Sequence, residues 1–291
     1  MEFHTPVLLS EVIKALSITQ NGVYIDATLG HGGHTIEILK LGGEVYGFDQ
    51  DPKNLEIATK RITDLGLSQK FHPVHSNFNQ LESVFKQQIK NKVDGLLADL
   101  GLSQSQQTAE NRGFSFNDSQ SIDMRLDPRS QDLTAEEIIN TYSFDELYQI
   151  FTKYGQELYS KPLIVKIIRE RQKSPITSGQ RLADIIKNYY QDHHINSRIN
   201  PATKIFMSLR IAVNDEFKNL SELLQQSLSV IKSNRTAAII TFHSGEDRIV
   251  KNFISDHKTQ VISAKPIKPT FAETKINPLS RSSILRLYKI M

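Results

Sequence analysis

Residues Tyr24 to Asp51 read YIDATLGHGGHTIEILKLGGEVYGFDQD. Val23, Tyr24 and Ile25 make an apolar run that favours strand and ends at Asp26. A glycine-rich turn follows, Gly30-His31-Gly32-Gly33-His34. Ile36, Ile38, Leu39 and Leu41 then recur near helical spacing, and Gly42-Gly43 stops the helix. A second apolar run, Val45 to Phe48, closes at Asp49. Strand, glycine turn, helix and acid-tipped strand together form one βαβ unit.

The chemistry of this unit narrows its ligand. Glycines let the backbone take positive φ and let a ligand lie against the main chain. The free N–H groups of a helix start face polar atoms. An acid about 20 residues beyond the first glycine, at the next strand tip, accepts from ribose hydroxyls, and Asp49 fits that place. The dinucleotide pattern G-x-G-x-x-G/A is broken at its sixth position by Thr35, and no Lys-Ser or Lys-Thr follows the glycines as a phosphate loop needs. Asp26, just upstream, would repel a pyrophosphate but suits an ammonium group. S-adenosyl-L-methionine offers ribose, adenine and a methionine tail without phosphate, and is the expected cofactor. The bland reading of the same residues is a structural tight turn in an α/β domain.

The 291 residues suffice for one large domain or two modest ones. A hydrophobic share of 38% with 23% charged residues predicts a globular core. No apolar run of about 18 residues exists, so no membrane span is expected. MEFHTPVLLSEV does not read as a signal peptide. Cysteine is absent, which excludes disulfides and thiolate metal sites, and the nine histidines show no HxxxH or HExxH spacing, so no metal is expected. A cytoplasmic location is permitted. Net charge is only +3 but unevenly spread: Phe151–Asn200 has nine Lys/Arg against four Asp/Glu, and Lys265 to the end has six against one. Such local excess suits a polyanion such as RNA.

Along the chain, His4-Thr5-Pro6-Val7-Leu8-Leu9 leads into a short helix and is a candidate to lie across the cofactor site. Pro52 opens a helix, Phe71–Ser76 is a strand, and Phe78 after it is placed to cover an adenine or to fill the core. Leu81–Ile89 predicts an amphipathic helix. Val93–Leu100 is a buried strand carrying Asp99 near its end, so Asp26, Asp49 and Asp99 point into one crevice at the carboxyl edge of a sheet. Ser103–Arg129 reads as a long loop. There Phe114 and Phe116, among Arg112 and Arg125, either stack a base or anchor a small core. Ala135–Tyr190 is helical, with a capping box at Thr134 and Glu137, and polar Gln191–Asn200 links out. Pro201-Ala202-Thr203 opens a long helix through Phe217 that carries Arg210, Asn214 and Asp215. Arg235–Phe242 is a strand ending at His243, and Val261-Ile262 with Ser282–Ile290 predicts a closing antiparallel pair.

Together these motifs closely resemble the bacterial 16S rRNA (cytosine-N4) methyltransferases, the MraW-like or RsmH-like family. The resemblance rests on His4 to Leu9, Asp26-x-Thr28-x-Gly30-x-Gly32-Gly33-His34, Phe48-Asp49-x-Asp51-Pro52, Asp99-Leu100-Gly101, Arg112 to Phe116 and Ile122 to Arg125. It continues through Pro201-Ala202-Thr203, Leu209 to Asn214, Phe242 to Lys251 and Asn277 to Arg286. It implies an α/β fold, a class I (Rossmann-like) methyltransferase doubly wound sheet, with an inserted α-helical substrate-recognition domain. The expected division is a first core part over 1–104, a helical RNA-recognition insert over 105–200 and a second core part over 201–291. Cofactor contacts are implied at Gly32, Gly33, His34, Asp49, Phe78, Asp99 and Gln106. Around Gln106 the family's Ser-Ser-Pro-Gln reads Ser103-Gln104-Ser105-Gln106 here, and Gly245 stands for a leucine after His243-Ser244.

The activity implied is N4 methylation of a cytidine in the decoding region of 16S rRNA within the small ribosomal subunit. Positioning carries most of such a transfer, and the base must leave any helix to reach the site. Asp99, or the adjoining Leu100-Gly101 backbone, is the first candidate to act at N4, with Asn214, Asp215 and His243 as second candidates. A homodimer is compatible with the sequence. The alternatives are a non-catalytic RNA-binding assembly factor that keeps the cofactor fold, a nicotinamide oxidoreductase, and a DNA amino-methyltransferase. The last would carry a (D/N/S)-P-P-(Y/F) tetrapeptide where this chain has Asp99-Leu100-Gly101-Leu102.

Overall fold

The computed structural model describes residues 5–103, 106 and 111–291. His4, Gln104 and Ser105 lie outside them. The chain forms two compact units, residues 1–103 with 217–291, and residues 104–216.

The first unit starts with α1 (Leu9–Leu16), β1 (Val23–Asp26), α2 (Gly33–Lys40), β2 (Glu44–Asp49), α3 (Pro52–Asp64), β3 (Phe71–His75), α4 (Leu81–Val84) and β4 (Val93–Asp99). Asp51 caps α3 by accepting from the Lys53 amide, with Pro52 at the first helical position. The predicted helix over 81–89 is α-helical only through Val84, after which Phe85–Ile89 widens into a π turn.

The second unit holds α5 (Ala135–Thr141), α6 (Phe144–Lys153), α7 (Ser160–Lys173), α8 (Gly179–Asp192) and α9 (Thr203–Asn214). Their apolar stripes meet in one core that includes Ile138, Leu147, Phe151, Ile164, Leu182 and Leu209. Thr134 accepts from the Glu137 amide, and Ser143 with Glu146 forms a full reciprocal capping box at α6.

The chain then runs through α10 (Glu216–Val230), β5 (Ile231–Thr241), α11 (Ser244–Asp256), β6 (Val261–Ser263), α12 (Phe271–Ile276) and β7 (Ile284–Ile290). The sheet has seven strands in the order β3-β2-β1-β4-β5-β7-β6. The first five run parallel, and β7 is antiparallel to both β5 and β6, as the closing pair predicts. Alternate residues feed opposite faces. Ile25, Phe48 and Leu96 pack with Leu220 and Leu223. Tyr24, Val45 and Leu97 pack with Val12, Ile36 and Ala58 on the other face. A parallel sheet covered on both sides explains the near-continuous apolar runs.

The long helix expected from Pro201 through Phe217 is two helices. α9 ends at Asn214, Asp215 takes a left-handed φ of 50°, and α10 restarts at Glu216. Aspartate is among the few residues that visit this conformation readily. Ala202, Ile205, Phe206, Leu209 and Val213 belong to the helical unit's core. The return to the sheet unit therefore falls at 216/217, where a boundary at 200/201 was expected.

Candidate active site

Five successive strand tips carry the residues singled out in the sequence. In spatial order these are Phe78 just beyond β3, Asp49 on β2, Asp26 on β1, Asp99 on β4 and His243 just beyond β5. The register aligns them, with Asp26 opposite Gly47 and Leu97, and Asp99 opposite Ile240. The chain reverses direction of progression between β1 and β4, and ligands bind at such a switch point, outside the carboxyl ends of the strands.

The glycine turn sits over this edge. Gly30 and Gly32 have φ of 51° and 76°, which side chains strain to adopt. The Gly30 amide donates to Asp49 Oδ2 at 2.9 Å. Asp49 also accepts from the Asp51 amide and from Asn54 Nδ2. Ser103 Oγ in turn donates to Asn54 Oδ1 at 2.9 Å, tying the loop after β4 to the tip of β2. A Cβ on Gly33 would collide with the Pro6 ring. His34 Nε2 lies 3.0 Å from the Val7 carbonyl. The segment Thr5–Leu8 thus crosses the glycine turn.

Asp26 and Asp99 face each other from adjacent strands. Asp26 accepts from Thr35 Oγ1 at 2.7 Å and from the Thr28 amide at 3.2 Å. The Asp99 amide donates to Thr28 Oγ1 at 2.6 Å. Burial pushes the Asp26 carboxyl up to about 6, against the pull of its Thr35 and Thr28 hydrogen bonds. Burial likewise pushes Asp49 up to about 7, although three hydrogen bonds pull it back. Asp99 rises to about 7 from burial first, with the charges of Asp26 and Glu246 adding to the effect. Burial lowers His34 to about 4. Its imidazole is neutral, so the 4.0 Å approach of Nδ1 to Asp99 Oδ2 is not an ion pair. Asp99 Oδ1 is buried and finds no hydrogen-bond partner among the described residues.

His243 caps α11. Its Nδ1 accepts from the Glu246 amide, while Glu246 Oε2 accepts from the Phe242 and His243 amides. Its Nε2 approaches Glu246 Oε1 to 3.2 Å but makes no aligned hydrogen bond among the described residues.

The remaining candidates belong to the helical unit. Gln106 is buried there. Asn214 Nδ2 donates to the Met124 and Arg210 carbonyls, and its Oδ1 accepts from the Leu126 amide and Gln131 Nε2. Arg112 donates to the Arg125 and Leu126 carbonyls, and Arg125 forms a two-pronged pair with Asp123. Phe116 packs edge-on against Phe206 with centroids 4.8 Å apart, and Arg112 covers Phe114. Of the two readings of these aromatics, the structure supports anchors in the core. Thr28 and Val7 stand in the sequence motifs without an assigned role, and Asn54 is not singled out there. Asn54, three residues into a helix capped by Asp51, carries the clearest local signal of the three.

The donor set fits a cationic nucleoside better than a dinucleotide. Three carboxyls at this edge, Asp26 buried and Asp49 and Asp99 half-buried, would repel a pyrophosphate, whereas an ammonium group would relieve their mutual repulsion. Asp49 keeps acceptor capacity on Oδ1 for a ribose hydroxyl.

Comparison with known proteins agrees. The model of the MraW methylase family matches residues 1–291. A "Ribosomal RNA small subunit methyltransferase H" from Carboxydothermus hydrogenoformans is 39% identical over 307 residues, covering 98% of this chain and 97% of that protein. One of the same name from Thermosipho melanesiensis is 41% identical over 290 residues, covering 98% and 96%. Among solved structures, an rRNA-methylase from Clostridium thermocellum shares the fold at TM-score 0.51 and 12% identity over 100% of both chains. A methyltransferase from Streptococcus mutans, solved with SAH, does so at TM-score 0.50 and 12% identity, also over 100% of both. With its whole length matched and its acid-tipped sheet edge suited to a sulfonium nucleoside, this chain belongs to the MraW methylase family and is an S-adenosyl-L-methionine-dependent methyltransferase.

Proposed function

We propose that the chain methylates ribosomal RNA of the small subunit, at N4 of a cytidine in the decoding region of 16S rRNA. The relatives' shared name supports the RNA and the subunit, and the resemblance of the motifs supports the nucleotide. The observation that carries the chemistry is Asp99 Oδ1, a buried carboxyl oxygen without a partner at the centre of the sheet's carboxyl edge.

When bound, S-adenosyl-L-methionine supplies an electrophilic methyl group on a sulfonium. Gly32 and Gly33 would admit it against the backbone, Asp49 would accept from its ribose, Phe78 would cover its adenine, and His34 and Asp99 would line the methionine side. The cytosine amine is a poor nucleophile because its lone pair is delocalised into the ring. Asp99 Oδ1 accepts one N4 hydrogen, which localises the lone pair as the N4–carbon bond forms. The same carboxylate would take the proton that N4 releases on methylation and pass it to water. Asn214, whose hydrogen bonds hold the 124–131 loop, and His243, which caps α11, act as positioning residues in this scheme.

The test is transfer of radiolabelled methyl to small subunits lacking the modification, followed by nucleoside analysis. N4-methylcytidine is expected in wild type and lost in Asp99→Ala. Subunit binding without label transfer would favour an assembly factor that keeps the cofactor fold. Asp99→Ala turning over at wild-type rate with saturating cofactor would remove Asp99 from the reaction.

A further inference from the structure

The six side chains of α12 are without exception unburied. Phe271 is 75% exposed and Ile276 80% exposed, and Leu279 follows at 45%. Scattered apolar side chains on a surface need no explanation, but a large aromatic ring standing in solvent on a short helix does. Its surroundings are cationic. Lys265, Lys268, Lys275 and Arg281 are exposed and make no ion pair among the described residues. Lys275 Nζ sits 4.9 Å from the Phe271 ring centroid. Glu273, the sole acid from Lys265 to the chain end, turns inward to accept from the Leu8 amide at 2.7 Å.

We propose that Lys265–Arg281 is an RNA-docking surface, with Phe271 as a base-stacking ring and Lys265, Lys268, Lys275 and Arg281 as phosphate contacts. The inference rests on the RNA substrate proposed above and deepens it by naming where the strand is held outside the transfer site.

Three features favour RNA over other partners. An exposed ring in a segment that carries four exposed cations is the physical recipe for single-stranded nucleic acid, where stacking is combined with backbone charge. A protein partner would meet a centre depleted of lysine, and here lysine flanks the ring. A membrane would need a longer apolar face than six helical residues present. The surface is also tied to the cofactor edge. Glu273 holds Leu8, Asn277 Nδ2 donates to the Thr5 carbonyl, and the Val7 carbonyl between them meets His34, which faces Asp99. Ile267, paired with Leu285 of β7, anchors the segment before α12. A strand stacked on Phe271 is therefore held by the element that braces the glycine turn.

The experiment measures binding and methyl transfer with both protein-free 16S RNA and small subunits lacking the modification. It compares wild type, Phe271→Ala, Phe271→Trp and a Lys265→Ala/Lys268→Ala/Lys275→Ala triple variant. Cofactor affinity and thermal melting of each variant report on folding. Phe271→Ala is expected to weaken binding to both RNA forms roughly tenfold, with Phe271→Trp restoring it. The triple variant is expected to lower the salt dependence of binding by about 2 in log–log slope. Cofactor affinity should stay within about twofold throughout, since none of these side chains touches the site. Unchanged RNA affinity and unchanged slope in folded variants would overturn the proposal. So would a loss seen with subunits and absent with protein-free RNA, which would assign the patch to a ribosomal protein. Failure of wild type itself to label small-subunit RNA would instead defeat the substrate reading, a result separable from any difference between variants.

Discussion

The amide of Asp99 donates to Thr28 Oγ1 at 2.6 Å, so the tip of β4 hangs on a side chain from the turn after β1. Two carboxyl-bearing strands are thereby locked in register at the point where the ligand enters. Thr28→Val removes the acceptor while keeping the shape. It is expected to cost about 1 to 2 kcal/mol of stability, because the amide is left without its partner, and to weaken cofactor binding. Thr28→Ser should retain most of both. Urea denaturation and calorimetric titration of the two variants measure this, and equal behaviour of the valine and serine forms would sink it.

The three raised carboxyls make the cofactor-free protein sensitive to pH. Asp26 moves from 3.8 to about 6, and Asp49 and Asp99 from 3.8 to about 7, each chiefly by burial. A folded-state value above the unfolded one means the protonated form is favoured by folding. That stability is complete below about 4 and is lost as pH rises through 6 to 7. For Asp26, which is 1% exposed, the shift corresponds to roughly 3 kcal/mol. The Asp99 side chain is 22% exposed, and solvent discounts its share. Melting temperature of the free protein should fall between about pH 4 and about pH 7. Asp26→Asn should flatten the fall, and the cofactor's cationic groups should offset it. A free protein that instead gains stability across this window, in wild type and Asp26→Asn alike, would refute the assignment.

Gly33 and Pro6 form a second pair with a measurable consequence. A Cβ at Gly33 would meet the Pro6 ring, displacing the segment whose Val7 carbonyl holds His34. Gly33→Ala should lower cofactor affinity about tenfold. Pro6→Ala combined with Gly33→Ala should recover part of that loss, since neighbouring residues are not additive. Cofactor titrations of the single and double variants give the coupling, and strict additivity would argue against the collision.

Asn214 donates to two carbonyls and accepts from one amide and one glutamine side chain. Asn214→Ala should destabilise the helical unit by about 2 to 3 kcal/mol, through buried groups left unpaired. Amide exchange over residues 122–131 should speed up. Cofactor affinity, set on the other unit, should hardly change. A variant with native exchange rates and lost methyl transfer would return Asn214 to the reacting centre.

Much of the sheet edge was legible from short-range signals. Strand runs closed by Asp26, Asp49 and Asp99, the glycine turn and the Pro52 helix start are local, and they appear in the structure as read. The closing antiparallel pair also followed from alternation and chain order. The fates of Arg112, Arg125, Phe114 and Phe116 were less legible. Their types suit RNA contact, yet the arginines are satisfied by carbonyls and Asp123 within the loop, and Phe116 meets Phe206, some 90 positions along.

The sequence by itself determined the order of strands and helices, the acids at their tips and the ligand chemistry those acids prefer, because periodicity, turn residues and charge act over a few neighbours. Only the tertiary structure decided that the helix after Pro201 breaks at Asp215, that Thr5–Leu8 lies over the glycine turn, and that Asn54 joins Ser103 to Asp49. Each of these depends on contacts between residues distant in the chain, where packing and hydrogen-bond satisfaction override local preference.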